Sequence, residues 1–254
     1  LGSRGLGDVY KRQVIALCLL SVQSLIAKDI YLSVNGVDTN NGLSESGAVA
    51  TLAKALSLIE DGDNIRVSGI IDVSKEVSGI EGVAIPQMAF SIIGDSPSTS
   101  GFTGNGVTRI FNIDSNDKET QYKNLSFING AQNQTKGSAV FIQNSRSVFT
   151  NCIFKNNIAV SCKGTVYLYT PNQVEFYDCI FTDNQVQQGG AVFSEMRGKL
   201  IMDRCMITNC NLQSVANSNG GGLQILGIES FVLKNSTVRN CSVAQRGGGI
   251  NIEN

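Results

Sequence analysis

The chain has 254 residues, a net charge of −1, a pI near 5.6 and 42% apolar residues, so it can bury one substantial core and carries no excess of either sign. Nucleic acid and anionic membrane surfaces are therefore poor partners, since both select a basic face. Histidine is absent, which removes the usual general base and the commonest metal ligand; 27 Gly with only 3 Pro and no Trp mark dense turn chemistry, suited to an all-β chain.

Residues 1–13 include "GLGDVYKRQ" at 5–13, which resembles a translated sequencing-adaptor tail, and are set apart as non-native. The apolar run "VIALCLLSVQSLIA" at 14–27 is too short for a helix crossing a bilayer, which needs about 20 residues. It has the h-region length of a secretory signal peptide, so the mature chain is expected to start at residue 28 and to be secreted or displayed at the cell surface. A buried helix or strand is the alternative. Residues 28–69 read as strand, turn, helix, strand: "DIYLSV" alternates, "NGVDTNNG" is a turn cluster, and "ATLAKALSLIE" sets Leu52, Ala55, Leu56 and Ile59 on one helical face. One amphipathic helix followed only by strands is the pattern of an N-terminal cap.

Residues 70–254 repeat themselves. The residue after each "CI"-like pair gives Phe127, Phe154, Phe181, Ile207 and Val238, separated by 27, 27, 26 and 31 residues. Glycine starts at Gly137, Gly164, Gly189, Gly221 and Gly248 repeat at 27, 25, 32 and 27. A period near 27 with short strands and no helical segment is the size of one coil of a parallel β-helix. Alternation then assigns inward residues. One strand sends in Val174 with Phe176, Leu200 with Met202, and Phe231 with Leu233. A second sends in Cys152 with Phe154, Cys179 with Phe181, and Cys205 with Ile207. The glycine strand is expected to send in Ala139 with Phe141, Val166 with Leu168, Ala191 with Phe193, Leu223 with Ile225, and Ile250 with Ile252. Two polar columns, Asn124, Asn151, Asp178, Arg204, Asn235 and Asn129, Asn156, Asp183, Asn209, Asn240, fall between strands, where Asn and Asp tolerate left-handed turns and stack as a structural ladder.

Tyr31, Asn35-Gly36, Asp38, Gly42, Ala50-Thr51-Leu52, Gly62-Asp63 and Ile65-Arg66-Val67 resemble the opening of exported pectate-lyase-like parallel β-helix proteins. "FKNN" at 154–157 and "FTDN" at 181–184, with "GGAV" at 189–192, resemble the FxxN and GGA[ILV] repeats of the chlamydial polymorphic outer-membrane proteins. The resemblance implies a right-handed parallel β-helix, an exported location and an adhesin role. Two repeats end in "NC" where that family has FxxN, and no C-terminal barrel is visible. The final "GGGINIEN" stops inside a coil, so the solenoid is expected to be truncated at its C-terminus.

Stacked buried thiols are one reading of the cysteines; a disulfide, Cys210 with Cys241 first, is another. The outward side of the glycine strands carries Tyr167, Tyr169, Gln224, Asn251 and Glu253, aromatics beside amides and a carboxylate, a mixture that stacks on and hydrogen-bonds a sugar. Tyrosines are also simply good strand residues. Outward apolar stripes are expected at Val148, Ile201, Val232 and at Ile153, Ile180, Met206, as contact surfaces or as loop-covered faces. No acidic cluster recurs beside a Lys or Arg base, so no catalytic residue, metal or cofactor is assigned. The reading is a non-enzymatic adhesion or binding module with a glycan or cell-surface protein as partner; the alternatives are a polysaccharide lyase or hydrolase on the same fold, or a structural spacer.

Overall fold

The computed structural model describes residues 27–115, 117–131, 136–210 and 219–253. The adaptor-like segment and the apolar run up to residue 26 lie outside the described residues. Beyond a short cap the chain is a parallel β-solenoid in which most coils contribute up to three strands, and two coils add a fourth, Ile158–Lys163 paired with Gln185–Gln188. The first sheet stacks Asn64–Asp72, Phe90–Gly94, Glu119–Lys123, Arg146–Thr150, Gln173–Tyr177, Lys199–Asp203 and Ser230–Lys234. Asn64–Asp72 turns at Gly69, and its second half begins the second sheet, which continues through Ser100–Thr103, Ser126–Ile128, Ile153–Lys155, Ile180–Thr182, Met206–Thr208 and Thr237–Arg239. The third stacks Val83–Ile85, Phe111–Asp114, Val140–Gln143, Val166–Tyr169, Val192–Glu195, Leu223–Leu226 and Ile250–Glu253. Among the described residues no helix is long and apolar enough to cross a membrane.

The cap forms because its acidic side chains terminate turns. Asp29–Ser33 pairs with Asn64–Asp72. The helix is shorter than the pattern suggests, Leu52–Leu56, with Thr51 as N-cap and the Asp38 carboxylate accepting from the N–H groups of Ala50 and Thr51. Leu52 and Ala55 bury beneath it, and Ile59 reaches the core from beyond the helix end.

Both polar columns occupy left-handed corners. Asn124, Asn151, Asp178, Arg204 and Asn235 all have φ between 49° and 55°, and Asn129, Asn156, Asp183, Asn209 and Asn240 between 51° and 57°. Asn151 donates to Asn124 Oδ1 at 2.8 Å and Asn209 to Asp183 Oδ1 at 3.1 Å, so the corners are tied coil to coil. Inside, the aromatics stack in register: Phe127 on Phe154 at 4.8 Å and Phe154 on Phe181 at 4.6 Å, with Tyr122 on Phe149 at 4.6 Å and Phe149 on Phe176 at 5.0 Å. Each fully buried ring contributes about 1.5–3 kcal/mol, which makes this column the main source of stability. Cys152, Cys179, Cys205, Cys210 and Cys241 are free thiols, and the first four belong to the core.

Two inward assignments, Phe141 and Phe193, are overturned. Val166 pairs with Val140 and Val192, and Tyr167 with Phe141 and Phe193, so Phe141 and Phe193 lie on the outer face, while Val140, Ile142 and Val192 face the core. The cause is a missing residue. Two residues separate Gly137 from Val140 and Gly189 from Val192, but only Thr165 separates Gly164 from Val166. Alignment on the glycines therefore shifts the alternation by one, and a one-place shift exchanges the faces. The ladder absorbs the deletion because Thr165 O accepts from both Ala139 N (2.9 Å) and Val140 N (3.1 Å). The in-facing side of Leu223–Leu226 is as expected, with Leu223 and Ile225 buried; at the last rung Ile250 packs on the core and Ile252 is 56% exposed.

Candidate functional site

The corrected register builds two columns on the outer face of the third sheet. Nearer the glycine turns run Asn112, Phe141, Tyr167, Phe193, Gln224 and Asn251; two residues further along each strand run Asp114, Gln143, Tyr169, Glu195, Leu226 and Glu253. The structure thus brings all five expected residues, Tyr167, Tyr169, Gln224, Asn251 and Glu253, onto one face, but not at one depth.

The first column is a small apolar cluster of its own, separate from the core. Phe141, Tyr167 and Phe193 are 3%, 6% and 0% exposed, with Tyr167 tilted against Phe141 at 5.6 Å and edge-on to Phe193 at 5.3 Å. Cations cover the rings: Lys136 Nζ lies 4.8 Å from the Phe141 centroid, Lys163 Nζ 4.8 Å from that of Phe193, and the Arg109 guanidinium 5.4 Å from that of Phe141. Arg109 is wholly buried and held by the carbonyls of Lys136, Gly137 and Glu81 and by the Glu81 carboxylate at 2.8 Å. Tyr167 therefore presents no ring to solvent. Gln224 is also buried, its Oε1 accepting from Asn251 Nδ2 at 3.1 Å.

The second column is accessible. Gln143, Tyr169, Glu195 and Leu226 are half-buried, and Glu253 is exposed. Glu195 links the columns, accepting from Tyr167 Oη at 2.7 Å and from Lys163 Nζ at 3.4 Å on the same oxygen, Oε2. Phe141, Phe193, Glu195, Lys163 and Gln143 escaped the glycine-based reading. The feature that aligns them is conformational: Phe141, Tyr167, Phe193 and Gln224 each precede by three residues a left-handed corner at Asn144, Thr170, Met196 and Gly227, which share no residue type for a sequence reading to follow.

Elsewhere, charged groups gather at the corner between the first and second sheets. Arg204 grips Asp178 through Nε (2.7 Å) and Nη2 (2.9 Å) and reaches Asp203 at 2.7 Å, with Lys234 at 3.5 Å from Asp203. The guanidinium beside Asp178 holds that carboxyl below its usual range; Asp203 is lowered first by the amide of Asn235 and then by Arg204 and Lys234. These groups saturate one another on the outside of a turn, which is a ladder and not a cleft. The outward apolar stripes are present and half-buried at Val148, Ile201, Ile153, Ile180 and Met206, with Val232 39% exposed.

The family model for "Right handed beta helix region" matches residues 109–254. No curated protein matches the sequence. Among solved structures, a rhamnogalacturonan lyase superposes with a TM-score of 0.45 and 12% identity over 84% of this chain, which spans 66% of that chain's length.

Proposed function

The chain belongs to the family of right-handed β-helix regions, and on that premise we propose that it is an exported binding module without chemistry of its own, holding an extended glycan along the outer face of its third sheet. One observation carries this reading: the accessible column Gln143, Tyr169, Glu195, Leu226 and Glu253 stands on a desolvated aromatic column. Successive coils are about 4.8 Å apart, so five rungs offer roughly 19 Å of straight surface running along the solenoid. A half-exposed tyrosine and an apolar side chain stack on sugar faces, while amide and carboxylate groups at fixed heights select hydroxyl orientation. The apolar run at 14–27 supports export.

A second reading, a carbohydrate-active lyase or hydrolase, rests on the contact of Lys163 and Tyr167 with Glu195, which sets a cationic amine and a phenol on one carboxylate oxygen. A glycan array probed with the full chain, with each reaction followed for new unsaturated or reducing ends, separates the two. Binding without product is expected, weakened about 3- to 10-fold by Tyr169→Ala, the worth of one aromatic contact. Product formation lost in Glu195→Gln would replace this reading with the enzymatic one. Silence in both channels would leave the spacer.

A further inference from the structure

A concave site lies on the cap, lined by none of the third-sheet residues described above. The outer side of Asp29–Ser33, Arg66 of the neighbouring strand, the Glu45–Gly47 turn and Asp95 enclose a cleft of about 380 Å³, within the size range of small-ligand sites. Tyr31 and Arg66 are register partners on its floor. Asp29 is fixed from two sides, accepting from Asn64 Nδ2 at 2.9 Å and pairing with Arg66 Nε at 3.0 Å, which holds the guanidinium at the wall of the cleft.

The disposition of the cap's carboxylates singles the cleft out. Asp38 holds the entry to the helix, Glu76 accepts from the N–H groups of Leu52 and Ala53, Asp72 caps the turn at Val73–Lys75, and Asp63 binds Lys28 N and Glu60 N. Glu45 and Asp95 differ from these, because no described residue pairs with either carboxylate, and both line the cleft. The half-buried Tyr31 hydroxyl also lacks a partner among the described residues. One aromatic ring, one two-pronged donor and two free carboxylates thus converge on the same space.

We propose that this cleft is a carbohydrate site taking one or two residues of a neutral or amino sugar. Vicinal hydroxyls fit the Arg66 fork and the carboxylate acceptors, and the apolar face of a pyranose fits Tyr31. Three carboxylates against one guanidinium leave the cleft negative, which favours an ammonium-bearing sugar and repels uronates and sulfated sugars. The site is independent of the third-sheet face.

Isothermal titration of the full chain with a glucosamine trisaccharide, cellotriose and trigalacturonate tests it. The expected order is glucosamine trimer tighter than cellotriose, with no binding of trigalacturonate. The Glu45→Gln/Asp95→Asn double variant, both exposed positions outside the hydrogen-bonded frame, should weaken the glucosamine trimer about tenfold at low salt and leave the melting temperature unchanged. Tyr31→Leu should weaken both binding sugars, and Tyr169→Ala neither. Absence of saturable binding, comparable binding of trigalacturonate, or affinity unchanged in the double variant would overturn the proposal. Affinity lost only in Tyr169→Ala would reject the cleft while supporting the third-sheet face.

Discussion

Cys210 and Cys241 stand where the two preceding coils carry Asn157 and Asn184, one place beyond the left-handed corner residue. The substitution from amide to thiol leaves a coupled pair at the end of a hydrogen-bonded column. Cys210 is buried and its thiol is pushed up by its side-chain interaction with Cys241 and then by burial; Cys241 is half-buried and lowered to about 7, chiefly by Cys210, although burial opposes it. The Cys179 thiol is pushed up by burial and then by Cys152, and the Cys205 thiol by its hydrogen bond with Cys179 and then by burial. Iodoacetamide should therefore alkylate Cys241 first among the described cysteines, with a rate half-maximal near pH 7, while the core thiols react only on unfolding. Peptide mapping that finds Cys152 or Cys179 modified ahead of Cys241 in the folded chain would refute this assignment. The column and its interruption were visible in the sequence as the last residues of "FKNN" and "FTDN" and the "NC" endings; its burial and its hydrogen bonds from coil to coil were not.

That amide column is the tightest polar element in the solenoid. Asn157 Nδ2 donates to Asn184 Oδ1 at 2.9 Å, Asn157 N to the same oxygen at 3.0 Å, Gly130 N to Asn157 Oδ1 at 2.7 Å, and Asn184 Nδ2 to Phe154 O at 2.9 Å, with both side chains fully buried. Asn184→Ala orphans buried donors and an acceptor at about 1–3 kcal/mol each, so a loss of at least about 2 kcal/mol is expected in urea unfolding. A loss below about 0.5 kcal/mol would mean that water replaces the amide. The strands of the coils were legible because the aromatic column repeats at nearly constant spacing. Two strands of the third sheet, those after Gly137 and Gly189, were read one place out because the turn at Thr165 is one residue shorter than theirs, and the sheet's own corner, Ser115, Asn144, Thr170, Met196 and Gly227, shares a conformation but no residue type. Of the accessible column, Tyr169, which follows the shortened turn at Gly164, and Glu253 were found; Glu195, which joins the two columns, was not, because the turn at Gly189 carries one residue more. The cap cleft was not legible at all, since Tyr31, Glu45, Arg66 and Asp95 come together only through the turn of the chain.

Over the whole molecule the charges act mainly as ladder ties, and that sets the pH response. Asp61, lowered by Lys118, and Asp178, lowered by Arg204, have folded pKa values below the unfolded one, and Asp203 follows through Asn235. An acid of this kind binds more protons when unfolded, so its contribution is present above about pH 4 and is lost as pH falls through the folded value. Glu76 acts oppositely: burial raises it, against the N–H groups of Ala53 and Leu52, so its ionisation lowers stability as pH rises above its unfolded value. Asp38 and Asp72 are lowered too, against burial, by their hydrogen bonds with Thr51 and Ser74, so five lowered acids outweigh one raised, and the melting temperature should be level near neutrality and fall below about pH 4; a melting temperature that climbs on acidification would contradict the ion-tied corners. Function on this scale depends on which face of a three-sided solenoid meets its ligand. The direct measurement is the affinity of the full chain for its strongest array glycan, compared with Tyr169→Ala on the third sheet and Val148→Ser on the first. The account expects a loss of about 3- to 10-fold in Tyr169→Ala and none in Val148→Ser; the reverse pattern would place the ligand on a different face and contradict it.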